Sequence, residues 1–238
     1  MNYLILAAGV GRRLGNNTNG LPKCLLDIGG ETVIERLLRQ IRKYDDNATI
    51  NVVLGYKYKE IIPKIGNCNV INNPFFDITS LNASLWFAKE CFNDEIMVIN
   101  GDIVFSEELI KDLIKNKNSS FITLDSRIKN DKEINVRVEG DKAVRLSVKY
   151  KNYTGVYAGV IKFSKENAKL FINLIDGRIK RGFNDSNSYY FAPLRNMINK
   201  FNAEFYAFDF AGYDWAEIDY SKDIEAARQV DGQTLTKL

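Results

Sequence analysis

The constraint that most narrows the fold is a repeated alternation of short apolar runs with segments of helical periodicity. Residues 3–8 are apolar and stop at Gly9, which reads as a buried strand feeding a loop. Val33, Ile34, Leu37, Leu38 and Ile41 fall at helical spacing, so the pattern predicts an amphipathic helix over 32–43. Residues 50–54 predict the next strand, then a polar helix from 57 to about 65 and a short strand over 69–72. Leu81, Leu85, Ala88 and Phe92 mark another helix face. Residues 96–99 read as a buried strand ending at Asn100-Gly101-Asp102. Leu109 and Leu113 then mark a helix, and residues 121–124 a strand.

The second half has a different texture. Residues 135–139 alternate, Gly140-Asp141 turns and residues 143–148 alternate again, which is a hairpin signal. A strand over 157–163 precedes a helix that Ser164 caps, which runs to about 175 and stops by Gly177. A helix over 188–200 despite Pro193, late strands over 205–210 and 215–218, and a final helix capped by Ser221 complete the chain. The expected fold is α/β: a three-layer, open, mostly parallel sheet with a small, partly antiparallel insertion. The expected organisation is one domain over 1–238, divided near residue 125.

Composition removes several chemistries. The 238 residues include no His, so there is no Ser-His-Asp triad, Cys-His dyad or HExxH zinc site. Acid–base or metal chemistry must come from carboxylates, Lys, Tyr or backbone groups. A net charge of +3 does not call for nucleic acid or a membrane surface as partner. Cys24, Cys68 and Cys91 lack metal-ligand or disulfide spacing, and are expected as small buried hydrophobes of a reducing cytosol. No basic leader precedes the first strand, and no apolar run approaches ~18 residues. A cytoplasmic location is therefore expected.

The first chemical signal is Leu6-Ala7-Ala8-Gly9-Val10-Gly11-Arg12-Arg13-Leu14, followed by Pro22-Lys23-Cys24-Leu25-Leu26. Gly9 and Gly11 let the backbone approach a phosphate and aim N–H groups at it. Arg13 offers a planar charged fork and Lys23 a point charge. A dinucleotide fingerprint wants Gly where Leu14 stands, and a P-loop wants Gly-Lys-Ser/Thr, so both fail. The second signal is Asp102, at the carboxyl end of a buried strand, the usual ligand crevice of such sheets. The third is Trp215-Ala216-Glu217-Ile218-Asp219, with Asp223 placed to favour a helix N-terminus. Taken alone, either aspartate also reads as a turn or cap residue.

Together, LAAGxGxRL, PKxLL, the Gly-Asp after the apolar strand and the W-x-x-I-D segment resemble the signature of the sugar-1-phosphate nucleotidyltransferase-like (NTP transferase) family. The specific motifs occupy about four short stretches, while the resemblance covers nearly the whole chain. It implies a Rossmann-like nucleotidyltransferase fold and an EC 2.7.7-type enzyme. It implies nucleotide binding by Leu6, Ala7, Ala8, Gly9, Gly11, Arg12, Arg13, Lys23, Ser84 and Gly101, with Arg13 and Lys23 as the catalytic cations. Asp102 and Asp219 would hold Mg²⁺. The stretch Asn82-Ala83-Ser84-Leu85 resembles the bacterial choline-phosphate cytidylyltransferases, and it lacks the Gln-x-x-x-Gly segment of uridylyl- and thymidylyltransferases. A Ser hydroxyl suits the amino and carbonyl groups of cytosine.

The resemblance thus implies CTP and a small phosphorylated acceptor as partners. Phosphocholine, phosphoethanolamine, an aminophosphonate, phosphoglutamine and a sugar phosphate all fit, the products serving surface polysaccharide or lipid decoration. Lys149, Tyr190 and Glu217 are the expected acceptor-binding residues, with Glu217 also a candidate second-metal group. No nucleic acid or membrane partner is expected, and the chain is a monomer or homo-oligomer. Two other readings stay open: a sugar-1-phosphate uridylyl- or thymidylyltransferase, and a nucleotide-binding regulatory module without catalysis.

Overall fold

A computed structural model describes residues 1–14, 20–130, 132–148, 151–182 and 191–232. The first half contains β1 (Asn2–Ala7), α1 (Val33–Tyr44), β2 (Thr49–Leu54), α2 (Tyr58–Ile65), β3 (Asn69–Asn72), α3 (Leu81–Phe87), β4 (Ile96–Asn100), β5 (Ile103–Phe105), α4 (Glu107–Lys115) and β6 (Phe121–Asp125). The second half contains β7 (Ile134–Glu139), β8 (Lys142–Val148), β9 (Gly155–Phe163), α5 (Lys165–Ile179), α6 (Phe191–Phe201), β10 (Tyr206–Asp209), β11 (Trp215–Glu217) and α7 (Ser221–Gln229).

Local chemistry accounts for many of these boundaries. Thr32 and Glu35 form a capping box that starts α1, satisfying two N–H groups the first turn leaves open. Ser106 and Ser164 cap α4 and α5 by accepting from Leu109 and Asn167 N–H groups. Pro193 sits in the first turn of α6, where no intrahelical N–H is lost. The last helix departs from expectation. Tyr220 rather than Ser221 is its N-cap, and Asp223 accepts from the Asp219 and Tyr220 N–H groups.

Nine strands form one sheet in the order β3-β2-β1-β4-β9-β6-β10-β8-β7. The expectation of a mostly parallel sheet needs correcting to a mixed one. The β3-β2-β1-β4 and β6-β10 neighbours are parallel, but β9 runs antiparallel between β4 and β6, and β8 antiparallel to both β10 and β7. The cause is β9: it enters the middle of the sheet directly from the β7-β8 hairpin region, without the crossover helix a parallel strand requires.

Alternate residues of β1 feed opposite cores. Tyr3, Ile5 and Ala7 pack with Leu37, Ile41, Ile61 and Leu109 of α1, α2 and α4. Leu4 and Leu6 pack with Leu85, Phe171, Ile175 and Leu194 of α3, α5 and α6. Burial on both faces is why these strands read as continuous apolar runs. The cysteines only partly match expectation: Cys24 is buried, while Cys68 and Cys91 are half-buried, and all three are free thiols. Among the described residues, no helix is long and apolar enough to cross a membrane.

Candidate active site

The chain leaves β1 toward β2 on one side and later returns to place β4 on the other. Such a switch point opens a crevice beyond the carboxyl ends of the two strands. A cleft of about 410 Å³ lies there. Its wall includes Leu6, Ala7, Ala8, Gly9, Gly11, Arg12, Arg13, Lys23, Ser84, Gly101, Asp102 and Asp219. Every residue expected at the nucleotide, and both aspartates expected at the metal, therefore border one cleft.

Three local features build it. First, Gly11 adopts φ +67°, and a Cβ there would meet the Lys23 side chain at 2.8 Å, so only glycine lets the loop lie against the lysine stem. Second, a helical turn over residues 12–14 buries Leu14 in a small core with Val104, Ala216 and Ile218, which leaves Arg12 and Arg13 facing out. Third, the Gly101 N–H donates to the Leu6 carbonyl at 3.0 Å, fixing the turn that presents Asp102 beside β1.

Asp219 arrives from 117 positions further along the chain than Asp102, through the antiparallel pair β5-β11. Glu217 pairs with Ile103 in register, and the Ile218 N–H donates to the Asp102 carbonyl at 2.9 Å. The two carboxylates then converge on one cation. Lys23 Nζ lies 3.0 Å from Asp102 Oδ2 and 2.5 Å from Asp219 Oδ1, while Arg13 Nη1 lies 2.6 Å from Asp219 Oδ2. Burial pushes the Lys23 ammonium toward a lower pKa, but Asp102 and Asp219 outweigh it and hold the pKa above the ordinary lysine value.

That convergence bears on metal binding. Two hard carboxylates aimed at one cationic centre, beside cations suited to phosphates, are a donor set that Mg²⁺ commonly shares with substrate oxygens and water. Among the described residues, no group of three or more His, Cys, Asp or Glu is arranged to hold a metal ion unaided. The residues therefore fit a cation completed by a bound phosphate.

Residues 3–127 match the MobA-like NTP transferase domain. The chain belongs to the MobA-like NTP transferase family. Among curated relatives of this family, the chain is 31% identical over 176 residues to the bifunctional protein GlmU of Methanococcus aeolicus, covering 70% of this chain and 41% of that one. The chain thus spans about two fifths of that relative's length. It is 26% identical to the CTP:phosphoglutamine cytidylyltransferase of Campylobacter jejuni, across 94% of this chain and 98% of that one. In fold it is similar to the CTP:phosphocholine cytidylyltransferase of Streptococcus pneumoniae, with a TM-score of 0.76 and 22% identity over 96% and 97% of the two chains.

Not every expected residue joins the cleft wall. Glu217 stands just outside it, an exposed side chain beside the two aspartates. Surrounding protein, and then the charges of Asp102 and Asp219, push its carboxyl upward, while Lys23 opposes them. Solvent reaches Glu217 and moderates the repulsion, but the direction is upward. Lys149 and Tyr190 lie outside the described residues. Sequence reasoning overlooked Cys24, Phe76, Thr79, Ser80, Leu81 and Asn100 on the wall, and Asn73 behind it. Most of these belong to the connection after β3. A turn-rich segment on the same sheet edge as Gly9 and Asp102 was the available signal.

Proposed function

We propose that this chain is a Mg²⁺-dependent cytidylyltransferase, which joins CTP to a phosphate or phosphonate monoester and releases pyrophosphate. The observation that carries the reading is the meeting of Lys23 with Asp102 and Asp219 beside the glycine loop. The full-length similarity to a CTP-using relative, and a Ser84 hydroxyl on the cleft wall, favour cytosine over other bases.

The reaction asks for positioning and charge neutralisation rather than for a base, because a phosphate nucleophile is already anionic at neutral pH. That suits a chain without His. Backbone N–H groups from Ala8 to Gly11 would cradle the nucleotide, and Arg12 and Arg13 would hold the triphosphate. Lys23 would swing from the carboxylates to the α-phosphate as negative charge grows there. Asp102 and Asp219 would hold Mg²⁺, whose chemistry at that place is to neutralise the α-phosphate and the departing pyrophosphate. The first half would bind nucleotide, and the half after about residue 125 would take the acceptor. The free, scattered cysteines suit a cytoplasmic setting.

The test is pyrophosphate release across the four NTPs, with and without Mg²⁺, against a panel of phospho-acceptors. A CTP-specific, Mg²⁺-dependent signal is expected. Equal use of all four NTPs, or a preference for UTP or dTTP, would replace this reading with the sugar-nucleotide one. No turnover with any acceptor would favour a binding module.

A further inference from the structure

Behind the cleft wall, a short chain of hydrogen bonds has one direction only. The Phe75 backbone N–H donates to Asn73 Oδ1 at 3.0 Å. Only the carbonyl end of an amide can accept that bond, so the Asn73 NH₂ must face the other way. It does, donating from Nδ2 to Ser84 Oγ at 3.0 Å. Asn73 and Ser84 are 1% and 4% exposed, so bulk water does not scramble the order. The Asn73 backbone is pinned as well, its N–H donating to the Leu54 carbonyl at 2.8 Å.

This order determines what Ser84 offers a ligand. A serine hydroxyl ordinarily chooses between donating and accepting by rotating its proton. Here one lone pair of Oγ is occupied by the Asn73 amide, and the hydroxyl proton finds no acceptor among the described residues. Ser84 also borders the nucleotide cleft. Its proton is therefore left for a ligand, and chained donors polarise one another in the same sense.

We propose that Asn73 is a specificity-determining positioning residue: it makes the Ser84 hydroxyl an obligate donor into the cleft, which selects a pyrimidine with a free lone pair at ring N3. This rests on the cytidylyltransferase reading above. Cytosine carries a lone pair at N3, whereas uracil and thymine carry N3–H, which would meet the Ser84 proton head-on. At position 4 a fixed donor would favour uracil, and at O2 it would favour neither. N3 is thus the one ring position where this donor selects CTP. Rejection by an unpaired or opposed polar group is the strong form of discrimination.

The experiment compares kcat/KM for CTP, UTP and 3-deaza-CTP, in which N3 is replaced by C–H. The wild-type protein should disfavour 3-deaza-CTP by about tenfold or more, mainly through KM. Ser84→Ala should erase that difference. Asn73→Asp should move the CTP:UTP ratio toward UTP by about tenfold, because an ionised carboxylate only accepts and draws the Ser84 proton back from the cleft. A merely structural Asn73 would weaken use of both nucleotides without moving their ratio. A wild-type protein that uses 3-deaza-CTP as well as CTP overturns the proposal, as does an Asn73→Asp CTP:UTP ratio equal to the wild-type one at about pH 8.5. Should Asn73→Asp not fold, the analogue comparison of wild type with Ser84→Ala decides on its own. A wild-type preference for UTP instead overturns the cytidylyltransferase reading, which separates the two failures.

Discussion

Lys23 ties together two carboxylates that would otherwise repel each other across the cleft. Lys23→Ala should lower kcat/KM by about 10²–10³, the usual effect of losing one charge-stabilising group. It should also change stability in a diagnostic way. In metal-free buffer Tm should fall, because Asp102 and Asp219 then face each other unscreened. Mg²⁺ should raise Tm more for the variant than for wild type, and an equal Mg²⁺ effect in thermal denaturation would count against a shared cation position. Leu14 shows how much of this was legible. In the sequence it breaks a dinucleotide fingerprint and closes the LAAGxGxRL motif, but nothing there shows that it is a buried anchor. In the structure it is 1% exposed and anchors the turn that carries Arg12 and Arg13. Leu14→Ala should cost about 2–5 kcal/mol in urea denaturation and weaken nucleotide binding as the turn loosens.

The element that assembles the site is the short pair β5-β11. The sequence reading expects β11 but not β5, because β5 follows directly on the Asn100-Gly101-Asp102 turn and both strands have only three residues. At β11's start, Trp215 Nε1 donates to Asp125 Oδ2 at 2.8 Å, and Arg127 grips the same carboxylate at 2.6 Å. Burial raises the Asp125 pKa, but the Arg127 and Trp215 hydrogen bonds outweigh it and hold the carboxyl below the ordinary Asp value. The folded state therefore binds that proton less readily than the unfolded chain. Its stabilising contribution is complete above the unfolded Asp pKa, near 3.9, and is lost as pH falls through the folded value. Arg127→Ala should flatten the acid limb of the Tm–pH curve, and Trp215→Phe should do so more weakly. An acid limb identical to wild type in Arg127→Ala would remove Asp125 from this role.

The C-terminal segment is locked to the first half by a few polar contacts. Asp231 pairs with Arg36 at 2.6 Å and accepts the Glu107 N–H at 3.1 Å, closing the N-terminus of α4. The Arg36 side chain is only 3% exposed and also donates to the Phe105 carbonyl. Asp231→Ala should destabilise by about 3–5 kcal/mol, because removing one partner strands a buried charge, measured by denaturant unfolding. Replacing Arg36 and Asp231 together should cost less than Asp231→Ala alone; a cost equal to the sum of the two singles would show that the pair is not coupled. Within the first half, the Glu107 side chain ties α4 to α1, its carboxyl held down to about 2 because hydrogen bonds from Lys43, Arg39 and Tyr44 outweigh its burial.

The sequence by itself determined the order of nearly all strands and helices, because burial on one or two faces imprints a period on the chain. It also marked the loop, the lysine and both aspartates, since phosphate and metal chemistry restrict residue type more than packing does. Only the tertiary structure decided that β9 would run backward through the sheet, that β5 would capture β11, and that Asn73 would orient Ser84. Each depends on contacts between segments far apart in the chain or on one side chain's hydrogen-bond direction. Neither leaves a period, and neither fixes a residue type tightly enough to be read beforehand.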